Sequence, residues 1–200
     1  MKLISYKIKS DKGFAPNPYF GCLTLATCKP AIRRSENTNV GDWIVGWTCA
    51  SSKLYSTPVG REKLVFLAKI SKIISIAQYW EEYPQKRPDP NKGLNSPEFY
   101  GDNIYKPNSE CSFGFEKVNT KFHCKESNKK TDVGGKNVII CNEFYYFSAA
   151  NALEVPINIK KDFNQVLRGH KIFENISEIE DFIKYVKSNK GKCKLFNEVN

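Results

Sequence analysis

The stretch VGDWIVGWTCA, residues 40–50, decides the fold class. A Gly-Asp turn feeds a run of β-branched and aromatic residues, the composition of a strand. The following GREKLVFLAKISKII, residues 60–74, reads as one long strand with room for a bend. SIAQYWEEY then changes period. Ile76, Tyr79, Trp80 and Tyr83 fall on one helical face, Ser75 stands at the N-cap position, and Pro84 ends the run.

Working outward, KLISYKI (2–8) alternates apolar and polar residues as a first strand does, and CLTLATC (22–28) is a short β-prone run stopped by Pro30. GKNVIICNEFYYFS (135–148) reads as two strands with a turn at the Asn-Glu step. NISEIEDFIKYVKSNKG (175–191) is an amphipathic helix, with Ser177 and Glu180 spaced as a capping box. Residues 84–110 are rich in Pro, Gly and Asn, and a loop of that length within a domain is usually functional or mobile. The order of strands and helices predicts an α+β fold, a small and mostly antiparallel barrel or curved sheet with helices at its edges. A dinucleotide-binding glycine pattern, a P-loop and regular βαβ alternation are all missing, which argues against a doubly wound nucleotide fold.

Two hundred residues suffice for one ordinary domain with a real core, and 13% aromatic with 40% hydrophobic residues excludes disorder. The formal charge of +10 favours polyanions such as nucleic acid, nucleotides or anionic lipid, although a lysine-rich composition alone also raises it. Seven dispersed cysteines without a CxxC pair argue against a zinc ribbon and a disulfide scaffold, so reduced thiols and a cytoplasmic location are expected. Lysines interrupt the N-terminal residues, against a secretory signal, and no apolar run reaches membrane-spanning length.

Four stretches carry candidate chemistry. In NPYFGCLTLATCKPAIRR (17–34), Lys29, Arg33 and Arg34 have the chemistry of a phosphate clamp. Cys28 beside them is either a nucleophile activated by cations or a packed thiol next to a basic turn. Thiol catalysis needs a base, and only His123 and His170 are available. Trp43 and Trp47 share a strand face and either form a base platform or fill the core. In YGDNIYKP (100–107), Asp102 and Asn103 can read a base edge, with Tyr100 and Tyr105 to stack, or GDN makes an Asx turn. In FHCKESNKKTD (122–132), His123, Cys124, Glu126 and Asp132 offer metal-ligand types, but further ligands at matched spacing are missing, so no metal is expected.

The blocks GFAPNPYFGCLTLATCKPAIRR, VGDWIVGW, LVFLAKISK with QYW, KRP, GDNIY and NVIICNEFYYF, in that order, resemble the second of the nucleotide-modification-associated domain families of bacteria and phages. The resemblance covers roughly residues 1–156. It implies a PUA-like barrel similar to the EVE, ASCH and YTH domains, followed by a helical cap over 157–200 in the same globule. One departure is Trp47-Thr48-Cys49, where a small Gly/Ser turn is expected. The resemblance implies handling of modified DNA bases, with DNA or a nucleotide as partner and other base-modification enzymes nearby; no cofactor is expected. The resulting expectation is a binding pocket in which Lys29, Arg33 and Arg34 hold phosphate, Trp43 and Tyr105 flank a base, and Asp102 and Asn103 read it. The alternatives are an enzyme using Asp102 or Cys28, and an interaction module whose charge is incidental.

Overall fold

A computed structural model describes residues 1–52, 55–166 and 168–193. In chain order the elements are β1 (Leu3–Lys7), β2 (Leu23–Leu25), α1 (Pro30–Arg33), β3 (Trp43–Trp47), β4 (Leu64–Lys69), β5 (Lys72–Ser75), α2 (Ile76–Glu82), β6 (Tyr105–Pro107), β7 (Phe115–Lys117), α3 (Glu126–Val133), β8 (Asn137–Cys141), β9 (Glu143–Tyr146), α4 (Ile157–Lys160), β10 (His170–Phe173) and α5 (Ile176–Ser188). They divide into two compact units interleaved along the chain. The first takes residues 1–11, 39–70 and 142 onward, and the second takes 12–38 and 71–141.

The first unit is built on a five-stranded sheet, β10-β1-β3-β4-β9. Only the β1–β3 pairing is parallel. Trp43, Val45 and Trp47 of β3 point to one face, as strand periodicity requires, and α5 covers that face with Ile179, Phe182, Ile183 and Val186. Trp47 is fully buried, and its indole N–H donates to Ser5 Oγ at 3.0 Å. Trp43 is buried in the same core. The pair therefore fills a core and is not a base platform. Residues beyond 156 supply an edge strand and the core helix of this unit, so they are integral to it. The α5 cap is Asn175, whose side chain accepts the Glu178 N–H, and not the expected Ser177.

The second unit holds the sheet β2-β8-β5 and the ribbon β6-β7. The long strand read at 60–74 is two strands, because the backbone changes partner at its middle. Ile70 N–H bonds Asp42 O within the first unit, and Ser71 N–H bonds Ile140 O within the second. The Asn-Glu step at 142–143 works the same way, with β8 and β9 in separate sheets. The α2 cap forms as read: Ser75 Oγ accepts the Gln78 N–H at 3.1 Å and Gln78 Oε1 accepts the Ser75 N–H at 3.0 Å.

The fold is thus α+β as expected, but among the described residues no sheet closes into a barrel. All seven cysteines are free. No helix among the described residues is long and apolar enough to cross a membrane.

A buried charge ties the first unit together. Glu62 accepts from Lys7 Nζ at 2.5 Å and from Asn164 Nδ2 at 2.7 Å. Burial pushes its carboxyl up, but these hydrogen bonds outweigh burial and hold it below the usual glutamate range. A depressed folded value means stability that is present above the ordinary glutamate pKa and lost as pH falls through the lowered one. Glu62→Gln is expected to cost about 2 kcal/mol at neutral pH and to flatten the acid limb of stability. Urea denaturation from pH 7 to pH 3 checks this, and parallel acid limbs in the two proteins would contradict it.

Candidate functional site

The second unit carries the chemistry. Its entry hairpin is closed by the Asn17–Thr24 bridge, with backbone bonds of 3.0 and 2.9 Å, and runs through β2 to Cys28. There the chain turns sharply. Cys28 and Lys29 both have left-handed backbones, φ 52° and 44°, before Pro30 opens α1. Such a pair of non-glycine residues persists only where neighbours hold it. Here the Cys28 N–H donates to Asp132 Oδ1 at 2.9 Å, and its carbonyl accepts Arg33 Nε at 2.8 Å.

His123 lies on the loop before α3, also at positive φ, and Asp132 lies within α3. The Cys28 thiol sits 3.4 Å from His123 Nε2, and His123 Nδ1 sits 2.6 Å from Asp132 Oδ2. Tyr105 adds its hydroxyl to Asp132 Oδ2 at 2.8 Å. Asp132 is buried, while Cys28 and His123 are half-buried, so the relay runs from an inner carboxylate to an accessible thiol. Phe14 braces the imidazole edge-on at 5.1 Å and stacks on Phe122 at 4.7 Å. Lys117 Nζ donates to the carbonyls of His123 and Cys124, at 3.1 and 2.9 Å, which fixes the loop.

The electrostatics follow from these contacts. Burial pulls the His123 imidazole down, but hydrogen bonds to Asp132 and Cys28 and their charges outweigh it, and the group is raised to about 10. Burial, and then the charge of Asp132, push the Tyr105 phenol up. Burial pulls Arg33 down to about 10 against the opposing pull of Asp132, and it stays cationic at neutral pH. A thiol, an imidazole in reach of it and a carboxylate behind the imidazole are the parts of an activated nucleophile.

Arg33 serves this arrangement from behind. Besides Cys28 O, its guanidinium donates to the carbonyls of Asn137, at 2.8 Å, and Asp132. Gly135 packs flat against it, in space that a Cβ would need. Only 1% of Arg33 is exposed, so the expected phosphate contact is replaced by a clamp on the backbone of two relay segments. Arg34 is exposed, with one long bond of 3.4 Å to Gly134 O, and Lys29, next to Cys28 in the chain, is half-buried. Unlike Arg33, neither is fully buried.

A second polar cluster is closed. Lys86 is fully buried, and its ammonium donates to Asn17 O, Asn17 Oδ1, Cys22 O and Thr24 Oγ1 at 2.7–3.2 Å. Asp102 accepts from Thr24 Oγ1 at 2.7 Å and from Tyr79 OH at 2.6 Å. Burial raises the Asp102 carboxyl and lowers the Lys86 ammonium. Asn103 donates to Tyr79 O and Tyr83 O at 2.9 and 3.0 Å. Asp102 and Asn103 are each 1% exposed, so they pin α2 and the entry hairpin rather than face a base or act as surface acid and base. Tyr105 is buried too, committed to Asp132, and Trp43 belongs to the core of the first unit.

Of the residues read from the sequence, the structure places Cys28 in a cluster with an imidazole and a carboxylate, with Lys29 next to it in the chain. It joins His123 and Asp132, which the sequence offered without placing, to Cys28, and it puts Lys86, which was not read as a site residue, in the closed cluster. The available signal was arithmetic: with two histidines in the chain, a thiol base had to be His123 or His170.

A family model described as nucleotide modification associated domain 2 matches residues 1–197. No curated protein and no solved structure matches the chain.

Gly101 tests the closed cluster. A Cβ there would come within 2.5–2.6 Å of backbone atoms of residues 86–88, which no rotamer can relieve. Gly101→Ala is expected to destabilise the protein by about 1–3 kcal/mol. Gly93→Ala, into open space, is the control and is expected within about 0.5 kcal/mol of wild type. Equal urea midpoints for the two variants would contradict the close approach.

Proposed function

Because the chain belongs to the nucleotide modification associated domain 2 family, we propose that it is a thiol enzyme of nucleotide modification. Cys28 is the nucleophile, His123 the acid and base, and Asp132 the group that orients the imidazole. The relay of 3.4 and 2.6 Å from Cys28 Sγ through His123 to Asp132 carries the reading.

The reaction class that suits these parts is acyl transfer or hydrolysis on a nucleotide or modified base. Cys28 sulfur attacks the acyl carbon, a C–S bond forms, and the bond from that carbon to its nitrogen or oxygen breaks. His123 gives its proton to the departing group. Water or an amine then attacks the thioester and yields a proton to His123, and the C–S bond breaks to return the thiolate. Bonds and protons balance without an oxidant or reductant.

The net charge of +10, with Lys29 and Arg34 at the surface near Cys28 in the chain, supports a phosphate-bearing substrate, DNA or a nucleotide. A half-buried aromatic group supports a planar one. Phe122, beside His123, meets Phe99 and Tyr100 at 5.8 and 5.6 Å. Binding without turnover would use the same basic edge but leaves the relay without a purpose.

Iodoacetamide labelling read peptide by peptide tests the nucleophile. Cys28 is expected to label faster than Cys111, which is half-buried and outside the relay. His123→Ala is expected to slow Cys28 about tenfold or more and to leave Cys111 unchanged. Equal rates at Cys28 and Cys111, unaltered by His123→Ala, would overturn the proposal.

A further inference from the structure

We infer that Cys28 and His123 also form a two-point site for a thiophilic divalent cation, of which Zn²⁺ is the probe, and that a cation there silences the thiol. The inference uses the side chains of the proposed enzyme but rests on their chelate geometry, not on nucleophilic turnover.

The bite is right. Zinc takes thiolate sulfur at about 2.3 Å and imidazole nitrogen at about 2.0–2.1 Å, so a tetrahedral angle sets the two donors roughly 3.5 Å apart. Cys28 Sγ and His123 Nε2 are 3.4 Å apart. The nitrogen facing the sulfur is the one not held by Asp132, so an entering cation displaces a proton there and leaves the Asp132 contact in place.

The surroundings match those of a metal-binding histidine. Such a ring usually gives its other N–H to a carboxylate, which fixes its tautomer and orientation. Asp132 does this at 2.6 Å and is itself held by Tyr105. One ligand atom from each of Cys28, His123 and Asp132 lies within 4.8 Å of the others. The Asp132 oxygens are taken, one by the Cys28 N–H and the other by His123 and Tyr105, so the carboxylate is the support and not the third ligand. Two protein ligands leave two tetrahedral positions to water, which makes the site reversible rather than a structural zinc. Both residues are half-buried, so neither is sealed in the core. Cys124 neighbours His123 in sequence, but its thiol is turned to Thr120 O at 3.6 Å.

The test adds Zn²⁺ alone to the full chain and follows iodoacetamide labelling of Cys28. Zn²⁺ in small excess is expected to slow Cys28 about tenfold, EDTA to restore the rate, and millimolar Mg²⁺ to do nothing, since it prefers oxygen ligands. Protection is expected to vanish in His123→Ala and in His123→Gln and to persist in Cys124→Ser. Thermal melting verifies that each variant is folded. Co²⁺ gives a second readout, a thiolate charge-transfer band that Cys28→Ser removes. Unslowed labelling in Zn²⁺, protection that survives both His123 variants, or protection lost in Cys124→Ser would each overturn the cation site. Labelling in EDTA separates the two proposals. If Cys28 depends on His123 there but ignores Zn²⁺, only the cation site fails. If Zn²⁺ protects while His123 is irrelevant in EDTA, the enzyme fails and the cation site stands.

Discussion

One buried carboxylate organises the chemistry of this chain. Asp132 receives the Cys28 N–H, the His123 imidazole and the Tyr105 hydroxyl, from three separated parts of the sequence. A buried carboxylate is tolerated only when it is paired and hydrogen-bonded, so the fold can bury Asp132 only if those parts converge. The requirement runs both ways. Satisfying the carboxylate also holds Cys28 in its left-handed turn and points the imidazole at the thiol. Arg33 completes the arrangement from the far side by binding the carbonyls of Cys28 and Asp132.

The second unit contains two polar clusters of opposite character. The one around Lys86 and Asp102 is closed, and nearly every donor and acceptor in it has a protein partner. Its effect is positional, because it anchors the hairpin that ends at Cys28. The relay is graded instead, from a sealed carboxylate to a half-open thiol. This difference in access separates scaffold from reactive site, since the residue types in the two clusters overlap. It also makes the relay a chelate as well as a nucleophile: the distance that lets an imidazole take a thiol proton is close to the distance that lets both grip one metal ion.

Much of the fold was legible in the sequence. The strand around Trp43, the capped helix at Ser75 and the C-terminal amphipathic helix follow from periodicity and capping chemistry. What periodicity cannot give is which strand pairs with which. The run 60–74 reads as one strand because its composition is continuous, and it is divided only by its tertiary partners at Ile70 and Ser71. The same limit explains why the expected barrel does not close among the described residues. In the site, Cys28 and its basic neighbours stood out by composition, whereas His123 and Asp132, which lie about a hundred residues downstream, had no local signal to join them to it. Arg33 and Arg34 are adjacent and chemically identical, and only burial tells the clamp from the surface charge. Asp102 and Asn103 look like a base reader for the same reason that they make good internal struts: both are short, polar and able to accept or donate in a small space.

The most direct measurement is nucleoside mass spectrometry of DNA carrying hypermodified bases after incubation with the wild-type protein and with Cys28→Ala. The account predicts an altered nucleoside with wild type, a mass adduct on the Cys28 peptide during turnover, and neither with the variant. An altered nucleoside formed equally well by Cys28→Ala would contradict it.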